Sequence, residues 1–100
     1  MAKDVVLTPL AAEDFYNVLN YLTNKWGDEV VNDFLDRYED VIALLADSAA
    51  IYPYFDIARK LQRCVLTKHN ILYFRETEDS VLIFTIFDTR QNPEKLSGII

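Results

Sequence analysis

Residues 59–96 decide the fold of this chain, and they read RKLQRCVLTKHNILYFRETEDSVLIFTIFDTRQNPEKL. Three strand-like segments occur here, at 60–67, 71–75 and 81–87, and only short polar turns separate them, as in antiparallel hairpins. The last segment is apolar at nearly every position, which is typical of a strand covered on both faces. These residues therefore predict a mostly antiparallel sheet.

The residues before this sheet predict one more strand and two amphipathic helices. A β-branched run at 4–8 is typical of a strand. The dipeptide Thr8–Pro9 is a helix start, since Thr caps helix N-termini and Pro fits the first helical position. Apolar residues then recur at helical spacing on both sides of Gly27, which suits a helix end. Asp28 offers the next N-cap, so we expect an antiparallel helical hairpin that ends near Ala46.

Residues 47–58 predict a loop with a high aromatic content, because Pro53 disfavours a helix there. We interpret Tyr52, Tyr54 and Phe55 as a plug between the hairpin and the sheet. The alternative is that they form a stacking or interface surface.

The predicted fold class is α+β: a two-helix hairpin packed on one face of a mostly antiparallel four-stranded sheet, in the order β-α-α-β-β-β. One hundred residues are expected to form a single domain, 1–100. Strict alternation in the last strand places Leu82, Phe84 and Ile86 on one face and Val81, Ile83 and Phe87 on the other. Both faces are apolar, so we expect a second cover: a partner chain, a second copy or the C-terminal tail.

Composition narrows the function classes. The chain is 51% hydrophobic with two glycines and three prolines, as in a compact globular protein. It has no apolar run of about 18 residues, so no transmembrane helix is predicted. Its start lacks the features of a secretory signal. With Cys64 as the single cysteine, these features fit the cytoplasm.

Charge is distributed unevenly. The net charge of −6 argues against indiscriminate nucleic-acid binding. Residues 1–56 hold eleven acids and three bases, whereas 57–100 hold five acids and seven bases. The acidic half can simply be a solvated helical surface, or the sheet half can present a positive patch to an anionic partner. Between residues 59 and 75 the chain has five bases and no acid: Arg59, Lys60, Arg63, Lys68 and Arg75.

Few residues are candidates for chemistry. The chain has no Gly-rich phosphate loop, no metal-ligand spacing and no nucleophile elbow, so we predict no metal site and no cofactor. Cys64 is interpreted as a small buried hydrophobe. Metal-free RNA cleavage needs a base and cations, for which Arg90, Arg63 and His69 are the candidates. The ordinary alternatives are a solvated His69 and an Arg90 paired with Asp88.

Three motifs occur in a familiar order. Residues 7–14 read LTPLAAED, a strand end followed by A-x-x-D on the first helix; Arg63–Cys64 precedes 70–75, NILYFR; and 88–96 read DTRQNPEKL. Together with the element order, this resembles the RelE/ParE superfamily of type II toxin–antitoxin (plasmid stabilisation) toxins. The resemblance covers nearly the whole chain.

The resemblance implies a growth-inhibiting toxin held by an antitoxin that is encoded beside it. RelE-like members cut mRNA on the ribosome with a basic cluster and a tyrosine, whereas ParE-like members poison DNA gyrase. Arg90 lies where RelE-like toxins carry a catalytic arginine. However, Asn70 or Ile71 stands in place of a basic residue, no tyrosine follows Arg90, and the chain is acidic. The ParE-like branch is therefore favoured.

Our hypothesis is a ParE-like inhibitor that binds a target such as DNA gyrase and is neutralised by an antitoxin laid across the uncovered apolar face. The alternatives are a RelE-like endoribonuclease acting on the ribosome and mRNA through Arg90, Arg63 and His69, or a non-toxic homodimeric interaction module. The predicted partner-binding residues are Arg59, Lys60, Lys68, Tyr73, Arg75, Phe84 and Ile86.

Overall fold

The computed structural model describes residues 2–100. Its elements are β1 (Asp4–Leu7), α1 (Pro9–Lys25), α2 (Asp28–Ser48), a 3-10 turn (Ala49–Ile51), β2 (Tyr54–Asp56), β3 (Leu61–Thr67), β4 (Asn70–Glu76), β5 (Ser80–Asp88) and α3 (Glu94–Ile99). The sheet order is β1-β5-β4-β3-β2. β1 pairs with β5 in parallel, and the other pairs are antiparallel.

The predicted α+β class is confirmed, but the sheet has five strands instead of four. The additional strand, β2, lies within the segment predicted to be a loop. It has three residues and pairs with the start of β3. The buried Gln62 side chain donates to the carbonyl oxygens of Ala49 (2.9 Å) and Tyr52 (3.0 Å), which holds the preceding turn against β3.

The helix boundaries follow the predicted signals. The Thr8 hydroxyl accepts a hydrogen bond from the Ala11 amide at 3.1 Å, and Pro9 is the first residue of α1. Gly27 lies between the two helices and has a φ of 91°, a backbone conformation that glycine adopts readily. Asp28 was expected to cap α2, but Gly27 occupies the cap position and Asp28 begins the helix. No helix within residues 2–100 has the length and apolarity needed to cross a membrane.

The main core lies between the helical hairpin and one face of the sheet. Leu45, Leu66, Leu72, Phe74 and Ile83 are almost fully buried there. The hairpin is also fixed to β3 by polar contacts, since the Arg37 guanidinium donates to the carbonyl oxygens of Leu66 (2.9 Å) and Val65 (3.0 Å). These carbonyls lie at an irregularity of the β3–β4 ladder, where backbone groups lose their strand partners.

A bulge in β5 changes which side chains face the helices. Tyr73 pairs with Thr85 and Phe74 with Ile83, so Phe84 is the extra residue. A one-residue slip reverses the side-chain alternation beyond it. Ile86 therefore joins Ile83 in the helix-facing core. The predicted grouping of Ile86 with Phe84 is wrong, and so is that of Phe87 with Val81 and Ile83, because Phe87 packs with Tyr73 on the opposite face.

The face of the sheet away from the hairpin, which we call the open face, is partly covered by the C-terminal segment. Leu96 of α3 packs in a second buried cluster with Tyr73 and Phe87, and Ile99 and Ile100 lie against it. One of the three expected covers, the tail, is thus present. Val6 and Val65, about half exposed, occupy parts of the sheet that α3 leaves uncovered.

Polar side chains at the start of α1 form hydrogen bonds with the part of β5 that has no neighbouring strand. β1 pairs with β5 only as far as Leu7 and Ile83, so β5 continues beyond the end of its neighbour. There the Thr8 hydroxyl donates to the Phe84 carbonyl at 2.8 Å. The Asp14 carboxylate accepts from the Thr85 hydroxyl (2.5 Å) and the Ile86 amide (3.1 Å). This junction joins the helix directly to the bulged part of the strand.

Replacing Asp14 should therefore destabilise the fold. Asp14→Ala leaves the Thr85 hydroxyl and the Ile86 amide without an acceptor, at a cost of about 1–3 kcal/mol in the free energy of unfolding. The neighbouring Glu13 is exposed, so Glu13→Ala should change stability by less than about 0.5 kcal/mol. Urea unfolding of both variants measures the difference. Equal stabilities would show that the junction is not structurally important.

Candidate functional site

A groove of about 630 Å³ runs between the helical hairpin, the β3–β4 turn and the end of β5. We call it the hairpin groove. Its walls are largely apolar, and its volume lies within the range of ligand-binding clefts. Six of the apolar side chains that line it are Val18, Leu22, Trp26, Val30, Phe34 and Ile86.

Two aromatic residues stand exposed at the groove. Trp26 is 63% exposed and Tyr21 is 41% exposed, although both are large and mostly apolar. Aromatic side chains of this kind supply much of the binding energy at protein interfaces. Sequence reasoning identified Trp26 only as part of a helix end. The signal that could have found it is that a large aromatic side chain falls outside the apolar stripe of α1.

Arg90 is held at the rim of the groove by Asp88 and Tyr21. Its guanidinium donates to both carboxylate oxygens of Asp88, at 3.0 and 2.8 Å, and to the Tyr21 hydroxyl at 3.4 Å. It also lies 5.1 Å from the centre of the Tyr21 ring, as in a cation–π contact. The predicted pairing of Arg90 with Asp88 is present.

These contacts shift the acidity of the three groups. The hydrogen bond from Arg90 lowers the pKa of Tyr21 below 10.0 and that of Asp88 below 3.8. The same contacts raise the pKa of Arg90. Like other arginines, Arg90 stays protonated at physiological pH, and here its charge is directed at the Asp88 carboxylate.

The structure does not bring the three nuclease candidates together. His69 and Arg90 both line the hairpin groove, and the Thr89 amide bonds the His69 carbonyl at 2.9 Å. Arg63 instead lies on the open face, where its guanidinium is 5.5 Å from the centre of the Phe55 ring. Within residues 2–100, no three His, Cys, Asp or Glu side chains are grouped so that they could hold a metal ion.

The predicted partner-binding residues are divided among four places. Arg75, Phe84 and Tyr73 lie on the open face, although Tyr73 is buried by its neighbours. Lys68 does not lie on the open face and instead lines the hairpin groove, next to the helices. Ile86 is only 3% exposed, because the bulge turns it towards the helices.

Arg59 and Lys60 belong to the turn between β2 and β3, beside the open face. The Arg59 guanidinium donates to the Ile100 carbonyl at 2.6 Å, and the Arg59 carbonyl accepts from the Arg75 guanidinium at 2.9 and 3.1 Å. Lys60 is exposed and has a φ of 57°. The turn therefore connects the C-terminal segment to β4.

A helical hairpin on a mostly antiparallel sheet, with an apolar groove lined by exposed aromatic residues, defines a small α+β domain suited to binding another protein. A family model described as the ParE toxin of the type II toxin–antitoxin system parDE matches residues 5–93. The chain therefore belongs to the ParE toxin family, and the expected membership of the RelE/ParE superfamily is confirmed.

A solved structure supports the same fold. A chain of the chromosomal ParDE toxin–antitoxin system from P. aeruginosa superposes with a TM-score of 0.71, at 15% sequence identity. The similarity covers 87% of this chain and 96% of that one. A search of curated proteins by sequence finds no match.

The Arg90 contacts can be tested by titration. Arg90→Gln removes the cation beside the Tyr21 hydroxyl, so the pKa of Tyr21 should rise towards 10.0. NMR of the tyrosine ring carbons measures this pKa, and Arg75→Gln, on the open face, should leave it unchanged.

The pKa of Asp88 is lowered in the folded state, so the stabilisation that the ionised Asp88 gives to the fold is complete above 3.8 and is lost as pH falls through the lower folded value. Arg90→Gln should weaken this acid-dependent loss, and an unchanged Tyr21 pKa would contradict the assignment.

Proposed function

We propose that this chain inhibits growth by binding a cellular protein, with DNA gyrase as the candidate target, and that a cognate antitoxin neutralises it. The observation that carries the proposal is the ParE toxin family match over residues 5–93. The similar P. aeruginosa chain comes from a toxin–antitoxin system, which supports an antitoxin partner for this chain too.

The hairpin groove is the proposed binding site of the antitoxin. An amphipathic helix binds by laying its apolar face into a groove of this kind. The exposed Trp26 and Tyr21 stand beside the apolar walls, where a partner would desolvate them. The open face is less suited to this role than the sequence suggested, because α3 already covers its centre.

The arrangement of basic residues favours binding over RNA cleavage. Positioned catalytic groups must converge on one reacting phosphate. Arg63 lies on the open face while Arg90 and His69 line the groove. The Arg90 guanidinium is also directed at the Asp88 carboxylate, which reduces its availability to a phosphate.

Induced expression tests the toxin proposal. We expect the chain alone to arrest growth, and co-expression of the short reading frame beside its gene to restore growth. Purified chain should inhibit DNA supercoiling by gyrase in vitro, and mRNA mapped in the same cells should stay intact. Ribosome-dependent mRNA cleavage with normal supercoiling would support the endoribonuclease alternative. A stable homodimer without any effect on growth would support the non-toxic alternative.

The groove has a matched pair of variants. Trp26→Ala should weaken antitoxin binding at least about tenfold, as truncation of an interface anchor does. Tyr16→Ala is the control, because Tyr16 lies on α1, which Trp26 directly follows, is 64% exposed and does not line the groove. Isothermal titration calorimetry with the antitoxin measures both affinities, and growth arrest by the chain alone should persist in both. Equal affinities would place the antitoxin elsewhere.

A further inference from the structure

Four basic side chains gather on and beside the open face. Arg63 of β3 is opposite Tyr73 of β4, and Arg75 lies two residues further along the same face of β4. Arg59 and Lys60 occupy the adjoining turn. We call Arg59, Lys60, Arg63 and Arg75 the cationic face. It shares no residue with the lining of the hairpin groove.

Carboxylates do not neutralise this cationic face. Within residues 2–100, the ion pair that reaches it joins Arg59 Nε to Asp56 Oδ2 at 3.8 Å, between side chains that are 57% and 36% exposed. Such an exposed pair is weak. By contrast, Arg90 is bound to Asp88 and Lys3 to Glu76. Lys60 and Arg63 are exposed and join no ion pair within residues 2–100, whereas the half-buried Arg75 guanidinium donates to the Arg59 carbonyl. The free charge of the cationic face is therefore mainly that of Lys60 and Arg63.

Aromatic rings hold two of these guanidiniums in place. The Arg63 Cζ is 5.5 Å from the centre of the Phe55 ring, and the Arg75 Cζ is 5.3 Å from that of Phe84. A stacked guanidinium keeps its charge and has less freedom to lose when it binds a carboxylate. Phe55 itself is 45% exposed, so it also offers apolar contact.

The neighbouring sheet edge favours an extended ligand. β2 is the last strand of the sheet, so its outer backbone groups have no strand partner. Tyr54 and Ile57 are 54% and 80% exposed along this edge. An extended peptide that runs beside β2 would place alternate side chains next to Phe55 and towards Arg63 of the following strand.

We infer that the cationic face and the β2 edge bind an acidic, extended segment of a protein partner, in which acidic and apolar residues alternate. Four basic residues match a few carboxylates, whereas duplex binding commonly uses about six to ten phosphate contacts. The net charge of −6 further opposes a long polyanion. The inference does not depend on gyrase being the target or on the groove being the antitoxin site.

Fluorescence anisotropy tests this with the full chain and a labelled peptide of alternating Glu and Leu. The triple variant K60Q/R63Q/R75Q should bind at least about tenfold more weakly than the original chain, a loss of about 1.4 kcal/mol. The control K3Q/K25Q/K95Q removes the same charge from residues outside both the cationic face and the hairpin groove, and it should change the affinity less than about twofold. Circular dichroism checks that both variants are folded.

Two measurements on the unaltered chain keep the test independent of the variants. A peptide with Gln in place of Glu should bind at least about tenfold more weakly, and raised ionic strength should weaken binding of the Glu peptide. Equal binding of both peptides overturns the inference, as does tighter binding of a single-stranded oligonucleotide of the same charge. An equal loss in the control variant also overturns it. So does self-association that the triple variant abolishes, because a second copy would then be the occupant.

Discussion

The junction between the start of α1 and the unpaired edge of β5 fixes how the helix lies on the sheet, and the rest of the structure depends on this packing. A backbone amide buried without a partner is costly, and β5 extends past the end of β1. The Asp14 carboxylate supplies the missing acceptor to the Ile86 amide and also binds the Thr85 hydroxyl. Thr8 links the same helix to Phe84 while it caps the helix. The A-x-x-D pattern at residues 11–14 thus has a structural reason here: Ala11 is fully buried in the core, and Asp14 binds the strand.

The same junction lies at the bulge that reverses the direction of the side chains at the end of β5. Beyond Phe84 the chain turns Ile86 towards the hairpin groove and Phe87 towards α3. A regular strand would have placed these residues on the opposite faces. The bulge therefore directs adjacent residues of β5 to the helical hairpin and to α3, and Phe87, which packs with Leu96, also lines the end of the groove.

The sequence predicted the positions of the helices and strands better than it predicted which face of the sheet each side chain lies on. Thr8–Pro9 and Gly27 mark helix ends through local backbone chemistry, and both mark them in the structure. β2 was missed because three residues after a proline carry no readable period, and its pairing depends on the distant β3. The bulge at Phe84 was missed for a related reason, since an apolar run looks the same with or without a slip. Arg63 and Arg90 were grouped by the chemistry that their side chains could perform, and the sequence does not show that they lie on different faces of the sheet.

Net charge is a poor guide to what the surfaces of this protein can bind. Most of its acidic residues lie in 1–56, where α1 and α2 present them to solvent. Their field falls off within about 8 Å at physiological ionic strength. What matters locally is which cations are already paired. Arg90 is bound to a carboxylate, whereas Arg63 and Arg75 rest on aromatic rings, which orient a guanidinium without cancelling its charge. An acidic protein can therefore keep a cationic face, because Phe55 and Phe84 position Arg63 and Arg75 there without a carboxylate that would cancel their charge.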